Sequence, residues 1–176
     1  MPEQLATERL LLRRLRADDA PALHAVFSDA LAMQYFGDRH ETLQQTVDWV
    51  SGSVDAPDSR CREYAIVLEG CVIGKAGVWN APEIGFFLLR DHWGRGYMRE
   101  ALVRLLPRFF EMMDLDEITA DVDPRNAASL ALLHKLGFAE THRASATIRI
   151  GGEWCDSVFL RLGRDQAVSG PASTST

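Results

Sequence analysis

The sequence predicts a single α/β domain. Its 176 residues, 47% of them apolar, suffice for one substantial core, and β-rich runs recur along a chain that also carries strongly amphipathic helical stripes. Residues 9–15, rich in Leu and Arg, read as a first strand, and Asp18 or Asp19 can cap a helix reaching Phe27. A second helix is expected over residues 42–54. The stretch between them, residues 31–40, holds Met33, Tyr35 and Phe36 without a clear period, so it is expected to be irregular or partly helical and to wall a substrate cleft.

From Arg62 the pattern changes. Residues 64–68 and 71–79 are β-rich runs separated by Glu69-Gly70, a hairpin signal. Asn80-Ala81-Pro82 then turns the chain into a third strand of this region over residues 83–89, whose density of Phe and Leu predicts burial on both faces. After a turn at Gly94 and Gly96, Met98, Ala101, Leu102, Leu105, Leu106, Phe109, Met112 and Met113 recur at spacings of three and four, one apolar helical stripe. Pro107 lies inside it; an interior proline removes a hydrogen bond and costs about 3 kcal/mol, which predicts a kink over residues 103–107. Residues 118–122 form a short strand, and Asp123 or Asn126 caps a helix running to Leu136, which Gly137 ends in a left-handed conformation with Phe138 packing behind it. Two last strands, residues 146–150 and 154–162, flank Gly151-Gly152-Glu153. The domain is expected over residues 1–164, with a disordered tail of Ser, Thr, Ala and Gly over residues 165–176.

Composition excludes several functions. With a net charge of -6 the chain offers no global positive field, so neither nucleic acid nor an anionic membrane is an expected partner, and any anion site must be local. Cys61, Cys71 and Cys155 are odd in number and lack CxxC spacing, and the five histidines are scattered, so no disulfide framework and no metal site is expected. Arg9, Arg13, Arg14 and Arg16 break any leader-like apolar run, which leads to a cytoplasmic expectation.

A buried strand, a turn with two glycines and a long amphipathic helix make an anion site, because the first helical N–H groups lack partners and the helix dipole favours negative charge there. Glycine spacing alone more often marks a plain turn. The dinucleotide fingerprint fails, since Arg99 stands where its third glycine belongs, and the nucleotide P-loop's Gly-Lys-Ser/Thr is absent.

The full stretch from Pro82 to Ala101, PEIGFFLLRDHWGRGYMREA, closely resembles the cofactor motif of the GNAT superfamily of N-acetyltransferases, and within it the RimJ/RimL-like group (ribosomal-protein alanine acetyltransferase-like). A second block, Asn126-Ala127-Ala128-Ser129 leading to Leu132-Leu133-His134-Lys135-Leu136-Gly137-Phe138, is similar to that group's other signature, and the likeness spans residues 9–162. The resemblance implies a mixed, mostly antiparallel splayed sheet flanked by helices, whose fourth and fifth strands part in a V that receives acetyl-CoA as cosubstrate. It also implies that the strand around Leu88 pairs its backbone with the pantetheine arm, while Gly94, Arg95, Gly96, Tyr97 and Met98 cradle the pyrophosphate through their amides. The family usually has Gly or Ala at the position of Met98, so this side chain must enter the core.

Acetyl transfer to an amine needs an unprotonated nucleophile, a polarised thioester and a proton for the departing thiolate. Glu83 opens the strand where some members of the family place a general base; the alternative is a solvated strand end or a salt bridge. Ser129 matches a serine that protonates the thiolate in the resembled group, and it also contacts cofactor or backbone in the alternative reading. Asn126 is expected to bind pantetheine amides as well as to cap its helix. Arg90, Arg95 and Arg99 make the turn locally basic. Asp156 is expected to fix the last strand, and His92 to face solvent without a chemical role. The reading is thus an N-acetyltransferase moving acetyl from acetyl-CoA to a primary amine, a protein N-terminus or a small molecule, in a ternary complex; it leaves a homodimer open. The competing reading is a non-catalytic acyl-CoA-binding or regulatory module of the same fold.

Overall fold

In the computed structural model, which describes residues 3–167, eight strands form one sheet. They are β1 (Gln4–Ala6), β2 (Leu11–Arg14), β3 (Arg62–Leu68), β4 (Cys71–Asn80), β5 (Glu83–Leu88), β6 (Glu117–Val122), β7 (Ala139–Ile150) and β8 (Glu153–Gly163), laid side by side in the order β1-β2-β3-β4-β5-β6-β8-β7. Four helices flank the sheet: α1 (Ala20–Phe27), α2 (Leu43–Asp55), α3 (Tyr97–Met113) and α4 (Ala127–Lys135). All neighbouring strands run antiparallel except β5 and β6. These two are parallel and share one register pair, Glu83 with Thr119, beside a hydrogen bond from the Thr119 N–H to the Pro82 carbonyl. Past that point they are unpaired, which is the V that the resemblance implies. It falls between the fifth and sixth strands because β1, too short to carry a pattern, adds one to the count.

The sheet has a core on each face. Along β3, Tyr64 and Ile66 pack toward α3 while Ala65 and Val67 pack toward α1 and α2, as alternating strand side chains must. Burial on both faces therefore belongs to β3 and β4. In β5, where it was expected, only Ile84 and Leu88 are buried, and Gly85, Phe86 and Phe87 stay half-buried because this strand borders the opening. The β3–β4 turn places Glu69 and Gly70 at φ values of 50° and 82°, the geometry of a tight hairpin.

α3 buries the expected stripe with two changes: Phe110 joins the core, and Met112 remains 39% exposed. The helix continues through Pro107 without a break. Thr42 caps α2 as a capping box with Gln45, but Asp19 does not cap α1; its carboxylate is bound instead by Arg13 and by the Arg16 N–H. β7 begins well before its expected start because it is the outer edge of the sheet, exposed on both faces, so nothing imposes an apolar alternation on it. The expected tail needs correction at its start: Arg164–Gln166 form a 3-10 turn, in which the Gln166 side chain accepts the Gly163 N–H. Its remainder, residues 168–176, lies outside the described residues.

Candidate active site

The C-terminal end of β5 leads directly into the turn before α3. There Gly94 and Gly96 adopt φ values of 70° and 80°, in the left-handed region that side chains disfavour. Gly96 is the N-cap of α3 and supplies no side chain to satisfy the first turn. Among the described residues, no hydrogen bond uses the N–H of Gly94, Arg95, Gly96, Tyr97, Met98 or Arg99. Six successive donors are thus left at the positive end of a 17-residue helix. Met98 points into the core, 9% exposed, which satisfies the requirement its size imposes.

Facing this turn across the V is the N-terminus of α4. Asn126 is buried, and its Oδ1 accepts the Ser129 N–H at 3.1 Å, so the cap is real. Its amide NH2 has no partner among the described residues and remains able to donate. Ser129 is half-buried, and its hydroxyl is likewise unpaired there. Leu88, Gly94, Met98, Asn126 and Ser129 line one cavity of about 460 Å³, together with Tyr35, Phe36, Phe86, Phe87 and Trp93. The irregular stretch is thereby a wall of this cavity, as its lack of period suggested. Met33 is the exception: it is buried beside Leu23 and Val50 and reaches only a neighbouring cavity.

Strand alternation sets the backbone groups of β5. The Leu89 N–H bonds the Ile73 carbonyl of β4, so Phe86 and Leu88 turn theirs toward the V. The Leu88 carbonyl already accepts the Trp93 indole N–H at 2.9 Å. Trp93 closes half of the pairing expected of Leu88 and leaves its N–H; a tryptophan read only as part of a turn gave no sign of this.

Glu83 stands apart from these groups. It is at the opposite end of β5, at the one point where β5 and β6 are joined, and does not line the cavity. Its carboxylate is half-buried and accepts the Trp79 indole N–H at 3.1 Å. Burial pushes its pKa up; the Trp79 hydrogen bond opposes this and the nearby Asp121 charge adds to it. The basic residues separate similarly. Arg90, just before the turn, is paired with Asp29, whose carboxylate also accepts the Leu31 and Ala32 N–H groups at the start of the irregular stretch, whereas Arg95 and Arg99 form no ion pair among the described residues. Asp123, the other cap candidate, is bound by Arg125, whose guanidinium lies 5.5 Å from the Tyr35 ring centroid. Asp156 accepts the Ala146 N–H at 3.0 Å where β7 bulges, the structural role expected of it. His92 is half-buried: its Nδ1 is buried with no partner among the described residues, so only part of the ring meets solvent.

Family comparison matches this geometry. A family model described as the Acetyltransferase (GNAT) domain matches residues 9–139, which span both β5-turn-α3 and α4. The chain belongs to the GNAT acetyltransferase family. An uncharacterized N-acetyltransferase, p20 of Bacillus licheniformis, is 32% identical over 146 residues, covering 77% of this chain and 82% of that protein. Among solved structures, RimL, the ribosomal L7/L12 alpha-N-protein acetyltransferase in complex with coenzyme A, superposes with a TM-score of 0.85 at 19% identity, over 93% of this chain and 99% of that one. The spermidine N-acetyltransferase of Vibrio cholerae, in complex with CoA and spermine, gives 0.79 at 19% identity, over 90% and 97%. The general reaction of this GNAT family is acetyl transfer to an amine.

Proposed function

We propose that this GNAT protein moves an acetyl group from acetyl-CoA to a primary amine by direct attack in a ternary complex. The observation that carries the reading is the run of six N–H groups over residues 94–99, unpaired among the described residues, beside a cavity that Asn126 and Ser129 also line. A pyrophosphate satisfies such donors, and the neighbouring cavity receives the pantetheine arm and thioester. In the step itself the amine nitrogen forms a bond to the thioester carbon and the carbon–sulfur bond breaks. The departing thiolate takes a proton from the Ser129 hydroxyl, which regains one from solvent, and the amine proton passes through water to Glu83, which returns it to solvent; the placement of Glu83 outside the cavity lining makes direct abstraction the poorer route.

The acceptor side is apolar near the thioester, with Tyr35, Phe36 and Phe87, and polar beyond it. A second cavity of about 470 Å³ shares Gln34 with the first and is lined by Asp38, Arg39, Glu41 and the β7–β8 turn at Ile150 and Gly151. Two carboxylates against one guanidinium favour an acceptor whose body carries positive charge, a peptide N-terminus or a polyamine. The activities of the two superposed enzymes, on a ribosomal protein N-terminus and on spermidine, span the same choice. A screen of amines with thiol-release detection tests the proposal. Release of CoA in proportion to acetylated amine supports it; acetyl-CoA binding with no release for any peptide, polyamine or amino acid would instead make this a non-catalytic binding module.

A further inference from the structure

Arg9 reaches the candidate cofactor turn from the far end of the sequence. Thr7 and Leu10 close a tight turn, with the Thr7 N–H bonded to the Leu10 carbonyl at 2.9 Å and the Leu10 N–H to the Thr7 hydroxyl at 2.9 Å, and Arg9 projects from its tip. Its Nη1 donates to the Arg95 carbonyl at 3.0 Å, and its guanidinium lies 4.4 Å from the Tyr97 ring centroid. Its Nε bonds Glu100 Oε2 at 2.7 Å, while its own N–H and the Thr7 hydroxyl bond Oε1 at 2.8 and 2.6 Å. One side chain thus touches three residues of the turn and first helical turn of α3.

Glu100 explains why this matters. Its carboxylate lies in the first turn of α3, the place where an incoming phosphate would meet the helix dipole, and its side chain is 15% exposed. Partial burial works to raise its pKa, yet the Thr7 hydroxyl and the Arg9 N–H and guanidinium hold it below the usual carboxylate range, so it stays ionised. An unscreened carboxylate there repels an anion; the Arg9 fork cancels its charge and leaves the amides of residues 94–99 free to attract one.

We propose that Arg9 is the positioning residue of the phosphate cradle: it fixes the turn through the Arg95 carbonyl and Tyr97, and it neutralises Glu100 at the mouth of the helix. This rests on the reading of residues 94–98 as the cradle. The fork geometry matters as much as the charge, since two nitrogens engage Glu100 while a third holds Arg95.

The test is calorimetric titration of the full chain with CoA and, in parallel, with pantetheine, which lacks the phosphates. Arg9→Ala should bind CoA about tenfold or more weakly, with pantetheine unchanged, because the lost charge and contact act on the phosphate end only. Arg9→Lys should fall between, and adding Glu100→Gln to Arg9→Ala should recover part of the loss. In turnover the KM for acetyl-CoA rises while the acceptor KM holds, a split that a general loss of structure would not produce. Unchanged CoA affinity in Arg9→Ala, or an equal loss for CoA and pantetheine, overturns the assignment. If Arg9→Ala does not melt cooperatively, Arg9→Lys decides by the same two ligands. A wild-type chain that binds pantetheine as tightly as CoA would sink the cradle itself, whereas a CoA preference that survives Arg9→Ala sinks only Arg9.

Discussion

The two ends of β5 lie about 16 Å apart at the usual strand rise, and they differ in what stands beside them. At Glu83 the strand is held on both sides, by Asn80 of β4 and Thr119 of β6. At Leu88 it is held by Gly74 of β4 alone, and the side toward β6 opens into the cavity bounded by the α3 turn and the α4 cap. The same strand thus seals its fold at one end and offers unpaired backbone at the other. A ligand that imitates a strand has a place only at the open end. The groups that would bind acetyl-CoA gather there, and Glu83 is left at the seam.

The largest effects should come from the open end. Ser129→Ala is expected to lower turnover by roughly 10²- to 10⁴-fold if its hydroxyl protonates the thiolate, with acetyl-CoA affinity nearly intact. Single-turnover kinetics beside a binding titration checks this, and wild-type turnover in the variant would remove Ser129 from the mechanism. Gly96→Val places a β-branched residue at a φ of 80°. Because an added Cβ would meet only Arg9 Nη2, at 3.5 Å, the fold has room for it, and the strain falls on the turn. Loss of two charge-assisted donors then predicts CoA binding weaker by about 100-fold, measured by calorimetry on a variant that still melts cooperatively.

The sealed end should respond through pH. Burial raises the Glu83 pKa, so the wild-type rate should fall as pH drops through that raised value, and Glu83→Gln should lose this acidic limb along with part of its neutral rate. The stability sign is opposite. A carboxyl whose pKa is higher folded than unfolded weakens the fold when ionised, so Glu83→Gln should melt no lower than wild type near neutral pH. That advantage should shrink as acid protonates the wild-type side chain. An unaltered acidic limb in Glu83→Gln would assign Glu83 to holding the β4–β5–β6 seam through Trp79. The smallest effect concerns the acceptor wall. Tyr35→Ala and Phe36→Ala should raise the acceptor KM several-fold with the acetyl-CoA KM unchanged, although Phe36 also packs on Phe87 with ring centroids 4.5 Å apart and its loss should lower the melting temperature as well.

What the sequence disclosed follows the same division. The glycine turn, the α3 stripe and the Asn126 cap were legible because each depends on neighbours within a few residues. The V was available only through resemblance, since strand divergence leaves no local pattern. Arg9 read as one more charge in a Leu- and Arg-rich strand; its role depends on Glu100, which is 91 positions away. The ion pair of Lys75 and Glu63, both side chains no more than 2% exposed, was equally hidden, as were the rings of Trp49 and Phe87 about 5 Å from the Lys75 ammonium. A charge in a strand reads as a solvent-facing position until its partner is seen. Misplaced burial in β5 has the same origin, because Phe86 and Phe87 line an opening whose occupant the sequence does not contain.

Backbone hydrogen exchange of the whole protein, followed with and without acetyl-CoA, tests the difference between the two ends most directly. Added protection is expected in peptides covering residues 86–99 and 126–130, and none at the β3–β4 hairpin around Glu69 and Gly70. Protection confined to residues 37–45 and the β7–β8 turn, with residues 94–99 exchanging as before, would contradict it.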